Sequence, residues 1–255
     1  TLKQAYPSPK QIAWFKREYT ITKNLQVQGV VNVYDLKNEQ NCWVIILEDS
    51  GGESLERLMH DGRQFTVAEF LNIAIQIVEI LGRVHQCQII HKDINPSNIV
   101  LNLTTGQIEL IDFGISTLLS RENPNLRNPN QLEGTLAYIS PEQTGRMNRE
   151  IDLRTDFYSL GITFYELLTN RLPFETTDAM ELVHSHIAKQ PTPPHLLIPE
   201  IPICLSEIVM KLMAKTAEDR YQSAYGLQID LAACHSQWSQ TGRIDPFVLG
   251  ERDIS

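Results

Sequence analysis

Long apolar runs are missing from this chain. No stretch reaches the roughly 20 residues needed to cross a bilayer, and no signal peptide opens it. Positive charge is scarce as well: 22 Lys and Arg stand against 31 Asp and Glu, for a net charge of −9 and a pI of about 5.3. Nucleic acids and anionic membranes are held by clustered Lys and Arg, so this balance argues against either partner. Cysteine is sparse too. Cys42, Cys87, Cys204 and Cys234 lie far apart, with no CxxC or Cys/His spacing. They read as free thiols of a reducing compartment, mostly core filler, and the expected location is cytoplasmic. Internal repeats and low-complexity tracts are also absent. What remains is ordinary: 255 residues, 42% hydrophobic and 21% charged, enough for a substantial core in one large domain or two lobes.

Apolar periodicity predicts a helix over residues 9–25, with Ile12, Phe15, Tyr19 and Thr22 on one face and Glu18 in its middle. Strands are expected over 30–36 and 42–47, joined by polar residues 37–41. A short helix is expected over 53–60, closed by Asp61-Gly62. Thr66 and Glu69 have the spacing of a capping box and open a helix to about Gln86. Short strands at 99–101 and 107–111 flank the 102–106 turn. Beyond Thr155 the chain reads as helical with Pro-rich breaks. The helix over 155–169 is apolar nearly all round and so central. Residues 191–202 form an extended connector, and helices follow at 205–215 and 223–238. Residues 123–130 are the one stretch with loop composition inside the motif-bearing region of residues 91–161.

The most specific feature is His-Lys-Asp-Ile-Asn-Pro-Ser-Asn at residues 91–98, followed by Asp112-Phe113-Gly114. Asp93 and Asn98 lie five positions apart, and Asp112 nineteen positions past Asp93. Phosphoryl transfer from ATP needs a carboxylate beside the acceptor hydroxyl and oxygen ligands for magnesium. Asp93 fits the first role; Asn98 and Asp112 fit the second, since Mg²⁺ prefers hard oxygen donors.

Together these segments resemble the catalytic loop and DFG segment of the protein kinase superfamily. Gly134-Thr135-Leu136-Ala137-Tyr138-Ile139-Ser140-Pro141-Glu142 is similar to the close of a kinase activation loop, with Ser140 where Ala is usual. Asp156-Phe157-Tyr158-Ser159-Leu160-Gly161 and Asp219-Arg220-Tyr221 follow in the family's order. The resemblance implies an α+β, two-lobed kinase-like fold, with an incomplete N-terminal β lobe and a mostly helical C-terminal lobe. It divides the chain into a partial small lobe (1–49), a large lobe (50–238) and a linker (239–255). It implies ATP and Mg²⁺ as cofactors and a protein substrate, with Ser/Thr favoured over Tyr by Pro96 and Gly134-Thr135.

Residue by residue, the resemblance makes Asp93 the catalytic base, with Asn95 and Thr135 beside it. Leu47, Glu48 and Ser50 fall in the adenine-contacting hinge, Glu53 near ribose and Val100 under the adenine. Glu18 is the helix carboxylate that meets a strand Lys. That Lys is expected one position before Thr1, with Lys3 the alternative, and no GxGxxG precedes Glu18. His91 is expected to pack under Phe113, Glu142 to pair with Arg220, and Asp156 to hold the catalytic-loop backbone. Two departures stand out. Lys92 replaces the usual Arg, and Asn95 the Lys that reaches the γ-phosphate, so the charge offered to the phosphoryl oxygens is lost. Residues 121–133 contain no Ser, Thr or Tyr, which predicts control independent of activation-loop phosphorylation. The segments at 91–98, 140–149 and 154–160 are similar to bacterial hybrid sensors, in which a kinase-like domain precedes ATPase, GAF and histidine kinase regions. Attached C-terminal signalling domains are the implied partners. A non-catalytic relay module is the rival reading.

Overall fold

The computed structural model describes residues 9–39, 42–114, 116–118, 136–146 and 149–253. The Lys3 alternative, Thr135 and the loop over 121–133 lie outside them. Helix α1 (Pro9–Asn24) is followed by an antiparallel pair, β1 (Val33–Glu39) and β2 (Cys42–Leu47), with Leu36 opposite Ile45. The first strand starts later than its apolar residues suggest. Residues 29–31 are used differently: Val30 makes a parallel bridge to Leu110, and Val31 N–H donates to the Leu110 carbonyl at 3.1 Å. Gly29 permits this approach, because its φ is +90° and a Cβ there would lie 2.4 Å from Ile80 Cγ1.

Strand β3 (Glu53–Ser54) leads into α2 (Leu55–His60), which Ser54 caps, so the expected helix at 53 begins with two residues of strand. Helix α3 (Val67–Gln86) carries the expected capping box: Thr66 Oγ1 accepts from Glu69 N–H at 3.2 Å, and Glu69 Oε2 accepts from Thr66 N–H at 2.9 Å. Then come β4 (Ile89–Ile90), β5 (Ile99–Leu101), β6 (Ile108–Leu110) and β7 (Thr117–Leu118). β3, β5 and β6 form one antiparallel sheet; β4 pairs with β7 in another. These sheets are short clips that set loop ends, and Ile89, Ile99, Leu101, Ile108 and Leu110 bury their side chains in the core.

The helices of the second half are α4 (Arg154–Thr169), α5 (Ala179–Ala188), α6 (Pro194–Leu197), α7 (Ile203–Leu212) and α8 (Ala224–Thr241). Helix α4 is buried on nearly every face, as its composition predicts, and packs on α3 and α7. The Pro-rich connector is not wholly extended: Pro194 starts the single turn α6, its ring already holding a helical φ. Beyond α8 the chain turns back. Ile244, Phe247 and Leu249 pack on the core, and Asp253 accepts from Gln222 N–H and Ser223 N–H at 2.6 and 3.0 Å. No helix among the described residues is long and apolar enough to cross a membrane.

Candidate active site

The loop between β4 and β5 carries the first cluster. Pro96 begins a 3₁₀ turn over Pro96–Asn98, and Asn95 caps it, its Oδ1 accepting from Ser97 N–H at 2.9 Å. The same amide turns its other end on Asp93: Asn95 Nδ2 donates to Asp93 Oδ1 at 2.9 Å. Asn98 Nδ2 donates to Asp93 Oδ2 at 3.1 Å and to the Asp93 carbonyl at 2.9 Å. Both carboxylate oxygens are thus held by neutral donors. Burial pushes the Asp93 carboxyl above its usual range; the His91 ring opposes this, and the Asp112 charge adds to it.

Beneath the loop lies Asp156, fully buried at the start of α4. Its Oδ2 accepts from His91 N–H at 2.9 Å and its Oδ1 from Lys92 N–H at 2.7 Å. His85 Nε2 lies 2.8 Å from the same carboxylate. Lys92 has φ +69°, a conformation that a side chain adopts only when its surroundings hold it. Asp156 on one side, and Gln143 Nε2 donating to the Lys92 carbonyl at 2.9 Å on the other, do so. His91 packs against Phe113 with ring centroids 4.6 Å apart, as expected.

Asp112 is exposed and also left-handed, with φ +62°. Its Oδ1 accepts from Gly114 N–H at 3.0 Å. A Cβ on Gly114 would sit 2.9 Å from that oxygen and 3.4 Å from Glu18 Oε2, so α1 brings Glu18 directly against this turn. Burial, and then the Asp112 charge, push the Glu18 carboxyl up to about 7. On the other flank, Gly52 lies so close to Val100 that a Cβ would meet Val100 Cγ1 at 2.5 Å. Ser50 is tied to the same strand end, its carbonyl accepting from Asn102 Nδ2 at 2.7 Å. Glu48 and Glu53 point their side chains at Asn32 and Arg57 respectively. Leu47 ends β2, 42% exposed.

The far end of the segment is closed by an ion pair. Arg220 Nη1 and Nη2 donate to Glu142 Oε1 and Oε2 at 2.6 and 2.9 Å, both side chains buried, and Thr155 Oγ1 adds a third donor at 2.8 Å. A family profile described as the protein kinase domain matches residues 2–230, spanning every one of these contacts. This chain belongs to the protein kinase domain family.

The kinase domain is 33% identical over 230 residues to a probable serine/threonine-protein kinase of Streptomyces coelicolor, covering 89% of this chain and 34% of that protein. It is 33% identical over 218 residues to the serine/threonine-protein kinase PrkC of Bacillus subtilis, covering 85% of this chain and 33% of that protein. A third relative, the hybrid signal transduction histidine kinase G of Dictyostelium discoideum, is 36% identical over 64% of this chain and 7% of its own length. The chain therefore spans about a third of the length of the first two. Within the kinase domain, His85, Asn102 and Gln143 are among the supporting residues that sequence reasoning missed. Each acts across 50 or more positions of chain, and no local pattern marks such partners.

Proposed function

We propose that this kinase domain transfers the γ-phosphate of ATP to Ser or Thr hydroxyls of protein substrates. The observation that carries the reading is the Asp93 carboxylate, held at both oxygens by Asn95 and Asn98 on a loop that Asp156 clamps from below. A carboxylate so fixed orients an attacking hydroxyl, and the upward push on its pKa makes it a better proton acceptor near neutral pH. Asn95, whose family counterpart is a Lys, works here as a tether on Asp93 rather than as a charge on the phosphate.

Asn98 and Asp112 suit Mg²⁺. Asn98 spends its amide nitrogen on Asp93 and accepts no hydrogen bond from a described residue at Oδ1, while Asp112 presents an exposed carboxylate. When bound, the ion supplies charge neutralisation for the phosphates. Leu47, Glu48, Ser50, Glu53 and Val100 are assigned to the nucleotide's adenosine end, Glu18 to orienting a strand Lys, and Thr135 to the vicinity of Asp93. We place the domain in the cytoplasm, within a signalling protein that carries attached C-terminal signalling domains; residues 239–255, expected as a linker, instead finish α8 and pack back on the core. The hybrid histidine kinase relative supports that context, although the match spans little of that protein's length.

Asp93→Asn tests the reading. With radiolabelled ATP and a generic protein substrate, phosphotransfer should fall by roughly 10²- to 10⁴-fold, with little change in melting temperature. Equal activity in the two proteins would transfer the reading to a non-catalytic relay module.

A further inference from the structure

Lys215 lies well away from the catalytic loop, in the bend after α7, and its amine points back into the helical lobe. Its Nζ donates to the Tyr158 hydroxyl at 3.2 Å and to the Ser185 carbonyl at 3.4 Å. It sits 4.7 Å from the centre of the Phe174 ring and 5.5 Å from that of Tyr158. Among the described residues no carboxylate lies within ion-pairing distance of it. The neighbouring full charge is a like one: Arg220, whose Nη2 donates to the Lys215 carbonyl at 3.4 Å and whose own carboxylate partner, Glu142, is already engaged at both oxygens. His186, packed against the same two rings, is held neutral at ordinary pH by burial and by Lys215 itself. An ammonium in this cage has ring faces, one hydroxyl and one carbonyl to stabilise it, and nothing negative.

We infer that Lys215 is an acyl-acceptor site, whose ε-amine is modified by small acyl phosphates in preference to the exposed lysines of the same chain. The step is an ordinary acyl transfer. The amine lone pair attacks the carbonyl carbon, a C–N bond forms, the C–O bond to phosphate breaks, and the proton lost by nitrogen leaves with the phosphate. No oxidant or reductant is needed. The cage favours it on two counts. It disfavours the charged amine, which cannot react, and the product amide is neutral, removing the repulsion with Arg220 while its N–H still serves the Ser185 carbonyl. The shift this environment produces is large: burial first, then Arg220, lower the amine to about 8. At pH 7.5 about a quarter of such amines are free, against about one in a thousand for a lysine at ~10.4. Lower intrinsic nucleophilicity and partial burial offset much of that gain. A net preference of roughly fivefold or more is expected.

The experiment is a time course of the native protein with acetyl phosphate, read lysine by lysine by peptide mass spectrometry. Lys37 and Lys189, both exposed, are the internal references. Lys215 should acetylate about fivefold faster than either at pH 7.5. Its rate should level off above pH 8, while theirs rise on about tenfold per unit, and the preference should vanish in guanidinium. A native rate at Lys215 equal to or below the references would overturn the inference. So would a preference that survives unfolding, because it would then belong to the local sequence and not to the cage.

Discussion

His186 shows what a single buried base does to this protein. It is fully buried, its Nδ1 lies 3.1 Å from the Tyr158 hydroxyl, and its Nε2 has no partner among the described residues. Facing it are Tyr158 from α4, the Phe174 ring, the Lys215 charge and the Leu136 backbone. Burial, then Lys215, depress the imidazole to about 4. Below pH 6.5 the unfolded chain's histidine takes up a proton that the folded one refuses until about pH 4. Stability is therefore lost as pH falls through that window, by about 3 kcal/mol from this group. Urea midpoints from pH 7 to pH 4.5 should fall more steeply in wild type than in His186→Asn; parallel curves would count against the assignment. Among the residues proposed for the site, Asp93, Asn98 and Asp112 could be singled out in the sequence because a short loop and a turn fix their spacing. The work of Asn95 was not. Its composition says only that a charge is lost, whereas the hydrogen bond to Asp93 depends on a rotamer that the sequence does not contain.

At the scale of elements, what could be read was what is settled locally. The box formed by Thr66 and Glu69 starts α3 within one turn of chain, and the all-round apolar α4 declares its own burial. Two-residue strands such as β4 and β7 could not be read, since each exists only through the other, 27 positions or more away. The start of α8 is an intermediate case. Ser223 caps it, with Oγ accepting from Gly226 N–H at 3.1 Å. A second cap arrives from 30 residues downstream, where Asp253 Oδ1 accepts from Ser223 N–H and Oγ at 3.0 and 2.7 Å. The segment after α8 is thereby stapled back along the helix, helped by Gly250 N–H donating to Asp230 at 2.7 Å. Asp253→Ala should strand two half-buried N–H groups and cost roughly 1–3 kcal/mol. It should also open residues 244–253 to proteolysis before the helices melt. Unchanged stability and an uncut tail would mean that Ile244, Phe247 and Leu249 suffice to hold the segment.

The whole molecule is unevenly bound together. Motif order along the chain pointed to the fold family, but how firmly its parts are joined is set by contacts between distant segments. The helical part from Leu55 onward is one continuous core: α4 packs on α3 and α7, the catalytic loop hangs from Asp156, and the Glu142–Arg220 pair closes the segment between. The first part is different. β1 is mostly exposed, and β2 only half-buried. Its polar ties to the remainder include the bridge at Val30–Leu110 and the Arg17 guanidinium donating to the Ser116 carbonyl at 3.4 Å. Few buried apolar contacts and exposed backbone hydrogen bonds are the physical conditions for opening below the global unfolding free energy. Amides of α4 and α7 should therefore exchange only by global unfolding, and those of β1 and β2 at least 100-fold faster, a gap of about 2.7 kcal/mol or more. Gly29 offers the means to tell a weak joint from a weak hairpin. A methyl group at Gly29 collides with Ile80 of α3, so Gly29→Ala pushes the bridge away from β6 without touching β1 or β2. If the joint governs opening, that substitution speeds exchange across α1, β1 and β2 together and leaves α4 unchanged. Exchange that quickens in the hairpin alone would place the weakness in the hairpin, and exchange that quickens in α4 as much as in β2 would mean that the two parts unfold as one unit; either result would show that the bridge does not govern their coupling.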